Sequence, residues 1–443
     1  MPEEKFGYID LFKVYQNART NAPEIYGIHL SIQLIGHTLS RNSICNIQPR
    51  AVTHNINLCL LGPSGCKKST AQEIIENIYP DDVKGTKHFT PEGLLRLLEE
   101  QPQTICPLGE FSTLLRGIKD SSYLVNFKEI SNDLFNCPSI YKKRLSKKSD
   151  SYELKEPYLS MNSTCTEEEF FFNVTKDMVH GGFLPRWLLI NGDAKYRKRC
   201  KLDNIIYEFE RVFKNIINTL YNYFRKNPLN FELDEAALEV YDKICKELSE
   251  DPIWENIQPF VTRYANYIIT YADIILVSDM IGEVTLAELT RLAELTKINM
   301  PYEFQDEGIL NVLVNLVNPV NLGAEYIERA WVLIKPQLEY AKKIVKYVDE
   351  DQILAKLEQI IDRYTPLTKS DALRRTHLKS TEFSQALITL TEREYAFKFE
   401  IIYNRMGLKT LTIICKRTYK ETDKCNSCRW RNNCNSNFGN NNR

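Results

Sequence analysis

A chain of 443 residues with 43% hydrophobic and 26% charged residues has the makeup of a globular protein of about two to four domains. Its 57 Lys and Arg against 58 Asp and Glu exclude a polycation, so any nucleic-acid contact must come from local patches. No apolar run reaches the roughly 20 residues of a membrane span, Met1 to Tyr8 carries no secretory pattern, and the 12 scattered cysteines fit buried thiols; the expectation is a cytoplasmic protein with no membrane segment.

Residues 8–45 read as helices. Tyr8 to Tyr15 has apolar residues at helical spacing, and Ala22-Pro23-Glu24-Ile25 starts a second helix through Leu30, Leu34 and Leu39. They form an expected helical N-terminal cap, residues 1–50. Residues 56–61 are the first core strand. Gly62-Pro63-Ser64-Gly65-Cys66-Lys67-Lys68-Ser69-Thr70 then turns into a helix that reaches Ile78. Strand, glycine-bearing turn and helix are the parts of a phosphate-binding loop, whose backbone N–H groups and helix N-terminus hold phosphate oxygens. Lys68 would reach the outer phosphates and the Ser69 hydroxyl would ligate Mg²⁺. The pattern G-x-x-x-x-G-K-[ST] asks for glycine at 67, where this chain has lysine; the competing reading is an ordinary strand-to-helix turn.

Thr90 caps a helix with Pro91 at its first position, and Leu94, Leu95, Leu97 and Leu98 form its apolar stripe. The apolar run Thr104 to Leu108 leads to Gly109 and Glu110, placing an acid just beyond a buried strand, where an ATPase keeps its water-polarising carboxylate. Residues 123–135 read as helix. The basic segment that follows, with Lys142, Lys143, Arg144, Lys147 and Lys148, is either a solvated loop or a hairpin that reaches nucleic-acid phosphates. Pro157 to Ser163 is a third strand ending in the polar pair Asn162-Ser163. Gly181 to Ile190 is a turn, Arg186, then a fourth strand. Strands separated by helices predict an α/β layer with a mainly parallel sheet, and residues 51–200 are its expected domain.

Residues 201–350 read as a helical lid or bundle, with helices at 205–224, 235–248, 261–281 and 326–345. Arg263 is its candidate for reaching a nucleotide, against the plainer reading of a surface arginine. Residues 351–414 give helix, helix, turn, helix and hairpin, the pattern of a winged helix-turn-helix. Its third helix, from Thr381, carries Glu382, Ser384 and Gln385 but no lysine, so DNA contact and protein docking both stay open. Cys425 and Cys428 form a C-x2-C pair followed by Cys434, with Cys415 upstream. This module, residues 415–436, has the thiolates for Zn²⁺ or an iron–sulfur cluster; the alternative is free thiols in a tail. Residues 437–443 are asparagine-rich and expected to be disordered.

The order of these motifs is more specific than any one of them. Phosphate loop, Gly109-Glu110-Phe111, Leu159-Ser160-Met161-Asn162, Phe183-Leu184-Pro185-Arg186-Trp187, helical lid and winged helix follow in turn. Over roughly residues 10–415 the chain resembles the AAA+ ATPase core of minichromosome-maintenance-type helicases. It resembles still more an uncharacterised P-loop ATPase family found in plasmid and phage primase–helicase proteins. The resemblance implies an α/β P-loop NTPase fold with helical cap, lid and C-terminal winged helix, and ATP and Mg²⁺ as cofactors. It implies that Glu110 polarises the attacking water, Asn162 is the sensor that positions it, Arg186 is an arginine finger acting on the neighbouring subunit's nucleotide, and Arg263 is a second sensor. The implied activity is that of an ATP-dependent, ring-forming DNA helicase or translocase of a mobile genetic element, acting in DNA replication. DNA, further copies of the chain and a primase or other replication protein are the implied partners.

Gly109 departs from the family, which has a Mg²⁺-orienting aspartate there. The alternatives are therefore a nucleotide-switched DNA-binding loader or regulatory ATPase with slow or no hydrolysis, and an interaction subunit with a degenerate nucleotide site. No primase or nuclease constellation is present in the sequence.

Overall fold

The computed structural model describes residues 6–47, 51–120, 122–144, 151–193, 205–298, 301–364, 367–376, 380–392, 396–404 and 408–416. The chain is mixed α/β and divides into two compact units, Met1–Val345 and Lys346–Arg443.

The first unit opens with α1 (Tyr8–Arg19) and α2 (Glu24–Thr38), then β1 (Ile44–Cys45) and β2 (Asn57–Leu61). A small cap was the expectation for α1 and α2, but α2 is buried on nearly every side. Its polar residues are placed accordingly. Gln33 Nε2 donates to the carbonyls of Ile56 and Met161, both at 2.8 Å. His29 and His37 are fully desolvated, which pushes each imidazole down to about 3, so both rings are neutral.

From β2 the chain runs through α3 (Lys68–Glu76), α4 (Pro91–Glu100), β3 (Gln103–Glu110), α5 (Phe111–Asp120) and α6 (Ser122–Leu134). The α4 cap is as the sequence predicts: Thr90 Oγ1 accepts from Gly93 N at 3.0 Å. A hairpin of β4 (Ile140–Arg144) and β5 (Ser151–Lys155) precedes β6 (Tyr158–Cys165), α7 (Glu167–Asn173), α8 (Lys176–His180) and β7 (Leu188–Asn191). The central sheet has the order β3-β6-β2-β7, and every pairing in it is parallel. β2 and β6 are buried along their whole length, as parallel strands covered by helices on both faces must be. A single parallel bridge, Lys84 to Ile105, lies beside β3.

The remainder of the unit is α9 (Ile205–Phe224), β8 (Asn230–Leu233), α10 (Glu235–Glu250), α11 (Gln258–Lys297), α12 (Glu307–Val314), β9 (Val320–Leu322) and the start of α13 (Ala324–Tyr364). The expected all-helical lid carries two short strands that helical periodicity does not reveal. They join β1 in a second parallel sheet of order β1-β8-β9, which ties the N-terminal segment to the lid. α11 is the spine. Its Tyr264 and Tyr267 hydroxyls donate to the carbonyls of Trp187 and Arg186, at 2.9 and 2.7 Å. Its Asp273 meets His54 Nε2 at 2.9 Å with both side chains fully buried. No helix among the described residues is long and apolar enough to cross a membrane.

In the second unit, β10 (Leu367–Thr368), α14 (Lys369–Thr376), α15 (Ser380–Glu392), β11 (Ala396–Asn404) and β12 (Leu408–Lys416) follow α13. The helices share one core of Leu354, Leu357, Ile361, Ala372, Phe383, Ala386, Leu387 and Leu390. The antiparallel β11–β12 hairpin gains β10 on its β12 edge. The helices and hairpin stand in the order read from the sequence. The break expected between residues 345 and 353 does not occur, since Lys346 to Gln352 holds no glycine or proline to stop α13. Thr381 and Gln385 of α15 are exposed.

Candidate nucleotide site

The segment that leaves β2 is bent by backbone conformations most residues avoid. Gly65 has φ +83°, and Lys67 has φ +63° and ψ +29°, the left-handed region. A lysine in that region costs about 1 kcal/mol, because its Cβ crowds the carbonyl that follows. This is the position where the phosphate-loop pattern takes glycine, and the left-handed turn is the reason. The Lys67 side chain itself is exposed. Lys68, one residue on, is buried: its ammonium donates to the carbonyls of Gly62 at 2.8 Å and Pro63 at 2.9 Å. α3 begins at Lys68 with no side-chain cap, so the free N–H groups of its first turn open toward the loop. From below, the Tyr26 hydroxyl donates to Leu61 O at 2.5 Å and lies 3.5 Å from Cys66 Sγ.

A cleft of about 310 Å³ lies over this loop, lined by Ser64, Gly65, Lys67, Lys68, Ser69, Thr70, Glu110, Thr164, Cys165 and Thr166. It sits at the carboxyl ends of β2, β6 and β3. The connection from β2 leads to one side of the sheet and that from β6 to the other, so the crevice between them is a topological switch point, where open α/β sheets take ligands.

Glu110 ends β3 after a register shift that begins at Pro107. The space beside Gly109 belongs to His88, whose Cε1 would lie 2.8 Å from any Cβ at that position. Glu169, in the first turn of α7, accepts from Ser112 Oγ at 3.0 Å. Hydrogen bonding to Glu169, then partial burial and the Glu169 charge, raises the Glu110 carboxyl above its ordinary value against the pull of Arg116 and Lys68. Sequence reading passed over Glu169. Its signal is a run of three acids, Glu167 to Glu169, right after a buried strand and a capping threonine.

Asn162 does not reach the cleft. It is fully buried, and Nδ2 donates to Gln33 Oε1 at 2.7 Å and Tyr79 Oη at 2.6 Å while Oδ1 accepts from Gln72 Nε2 at 2.8 Å. The residue paired with Glu110 at the strand end is Thr164, and that is the one lining the cleft. The sequence reading stopped β6 at Ser163, two residues short of its end at Cys165.

Neither arginine joins the loop. Arg186 precedes β7 and lies five residues before Asn191, the partner of Leu61, so about 17 Å of strand separates it from the loop end of the sheet. Arg186 is half-buried, and its desolvation, then the charge of Arg263, lowers its guanidinium to about 10. Arg263 Nη1 is 3.5 Å from Asn136 Oδ1, in a separate cleft of about 450 Å³ with Phe135 and Tyr267. The two arginines thus stand together at the amino ends of the strands, opposite the loop. The helical segment reaches the loop end by another route: Lys343 and Tyr340 of α13 both bind Glu167 Oε1, at 2.8 Å.

The basic segment does form a hairpin. Two of its cations are already paired, Lys142 with Glu153 at 2.9 Å and Lys143 with Glu129 at 3.2 Å. The Arg144 side chain, Lys147 and Lys148 lie outside the described residues, as do Cys425, Cys428 and Cys434; Cys415 falls in β12, opposite Phe397. Among the described residues no group of three or more His, Cys, Asp or Glu is arranged to hold a metal ion. No protein-family model matches the chain and no curated protein does, so the functional reading rests on the geometry of the cleft.

Proposed function

We propose that this chain is a P-loop ATPase of AAA+ type that assembles into a ring and acts on DNA as a helicase or translocase in the replication of a mobile genetic element. One observation supports the reading: the strand-to-helix loop that bears Lys68 and Ser69 shares a single cleft with Glu110 and Thr164, at the switch point of a parallel sheet.

Backbone N–H groups of the loop and of α3 bind the phosphates of ATP. Lys68 turns from the Gly62 and Pro63 carbonyls to the outer phosphate oxygens. The Ser69 and Thr164 hydroxyls and the Glu110 carboxyl in the cleft are oxygen donors, which suit Mg²⁺. Mg²⁺ held there would supply neutralisation of the phosphate charge. Glu110 takes the proton of a water whose oxygen attacks the γ-phosphorus. The bond to the β–γ bridging oxygen breaks, and ADP leaves with phosphate. Thr164 orients that water. Arg186, too far from its own loop, serves the nucleotide of a neighbouring copy, with Arg263 beside it. Charge stabilisation by such an arginine is worth about 10³ to 10⁵ in rate.

A loader or regulatory ATPase with slow hydrolysis is the second reading. It is favoured by the ion pairing of Lys142 and Lys143, which lowers the free positive charge of the hairpin. ATPase assays with and without single-stranded DNA, alongside mass measurement with and without nucleotide, test both. DNA-stimulated turnover in a nucleotide-dependent ring supports the motor. Tight ATP binding with negligible turnover supports the loader, and no nucleotide binding overturns both.

A further inference from the structure

We propose that the cleft at the amino ends of the strands is a second ligand site, which takes a nucleoside monophosphate with its phosphate on Arg263. The inference goes beyond the ATPase reading and depends on neither the loop nor a ring. The cleft, of about 450 Å³, is walled by the segment that leads into β2, by Phe135 and Asn136 just after α6, and by the Thr262 to Thr270 face of α11. Its lining holds no acid, and Arg263 is the one charged residue in it among the described ones. A guanidinium carries several N–H donors, yet among the described residues that of Arg263 makes a single long contact, 3.5 Å to Asn136 Oδ1. A planar fork of unspent donors matches phosphate oxygens in pairs. A second cation stands behind the Phe135 wall. Arg186 Cζ lies 6.0 Å from the Phe135 ring centroid, and its Nε is buried with no partner among the described residues. Burial, then the charge of Arg263, lowers the Arg186 guanidinium against the pull of Tyr267 and Asp133, and a phosphate on Arg263 relieves that repulsion. The rest of the wall suits a nucleoside. Thr53 Oγ1 donates to Asn55 Oδ1 at 2.8 Å, Thr262 Oγ1 to Gln258 O at 3.1 Å and Thr270 Oγ1 to Thr53 O at 3.1 Å. Each hydroxyl has spent its proton and offers only lone pairs, which receive sugar hydroxyls and an exocyclic amine. Phe135 and Tyr267 pack edge to face with centroids 6.0 Å apart and give the base an apolar side. The volume is that of a small-molecule site, more than a lone phosphate fills.

The test is isothermal titration calorimetry on the full chain carrying Lys68→Ala, which keeps the probes off the loop, with AMP, adenosine and ribose 5-phosphate as the probes. AMP is expected to bind, and adenosine and ribose 5-phosphate each to bind about tenfold or more weaker. Arg263→Gln is expected to bring AMP down to the level of adenosine. Ala51→Trp fills the cleft from an exposed position and leaves Arg263 intact; it is expected to abolish AMP binding, and it decides if Arg263→Gln fails to fold. No AMP binding overturns the inference, as does unchanged AMP affinity in Arg263→Gln, or in Ala51→Trp where only that variant folds. Ribose 5-phosphate bound as tightly as AMP overturns it, and so does binding of a single-stranded oligonucleotide in place of AMP. AMP bound only at concentrations where chains assemble overturns it and returns Arg263 to the neighbour's nucleotide. Each of these results leaves the ATPase reading to its own assay, on the chain with Lys68 intact.

Discussion

At the residue scale, small offsets decide which side chain does what. Asn162 and Thr164 lie two residues apart on one face of β6, about 7 Å along the strand, and only Thr164 reaches the cleft. Asn162→Ala should destabilise the first unit by about 2–4 kcal/mol in urea denaturation, because it strands the polar groups of Gln33, Gln72 and Tyr79 in the core. Thr164→Val should leave stability nearly unchanged and lower ATP turnover. The reverse pattern would return the sensor role to Asn162. Lys67 gives a prediction of opposite sign. Lys67→Gly relieves the left-handed strain, less the entropy glycine adds to the unfolded chain, so a net gain of up to about 0.5 kcal/mol is expected, and none for Lys67→Ala.

The Glu110 carboxyl carries a pH signature. Its folded value is raised, so the folded state binds its proton more tightly than the unfolded chain does. The stability this contributes is complete below the ordinary carboxylate range and is lost as pH rises through the raised value. In the absence of nucleotide, Glu110→Gln should therefore melt higher than wild type at neutral pH, with the gap closing on acidification. A gap that is constant with pH would mean the carboxyls do not interact.

At the scale of elements, α11 fastens the lid to the sheet through buried polar contacts. His54 Nε2 meets Asp273 at 2.9 Å and His54 Nδ1 lies 3.0 Å from the Ser43 carbonyl. Burial raises the Asp273 carboxyl above its ordinary value, and the His54 contact offsets only part of that rise. His54→Ala leaves that buried carboxyl without its hydrogen-bond partner and should cost about 3–5 kcal/mol by chemical denaturation. A loss near that of an ordinary surface change would remove the fastening role. The same scale explains what periodicity missed. α9, α10, α11 and α13 announce themselves by helical periodicity. β8 and β9, of four and three residues, are too short to stand out and exist because β1 pairs with one and that one with the other.

At the scale of the whole molecule, the loop and the arginines lie at opposite ends of the strands of one sheet. The proposed ring would complete its site against a copy arranged head to tail, the heterologous contact that closes rings. Lys68→Ala and Arg186→Ala should each abolish turnover alone. Mixed in equal amounts they should recover about one quarter of the wild-type rate, from interfaces that join an intact loop to an intact arginine. No recovery in a mixture that still assembles would place both residues in one subunit's site.

The sequence by itself determined the local grammar: the buried strand before Gly62, the helix after Lys68, the cap at Thr90, the acid closing β3, and the helices and hairpin of the second unit. Each is written in contiguous residues, where period, turn chemistry and capping act over one or two turns. What only the tertiary structure decided is which residues meet. Glu169 beside Glu110, Thr164 in place of Asn162, Arg186 with Arg263 far from the loop, and α2 inside the core all follow from strand order and register. Those are fixed by packing between segments distant in sequence, and no local window contains them.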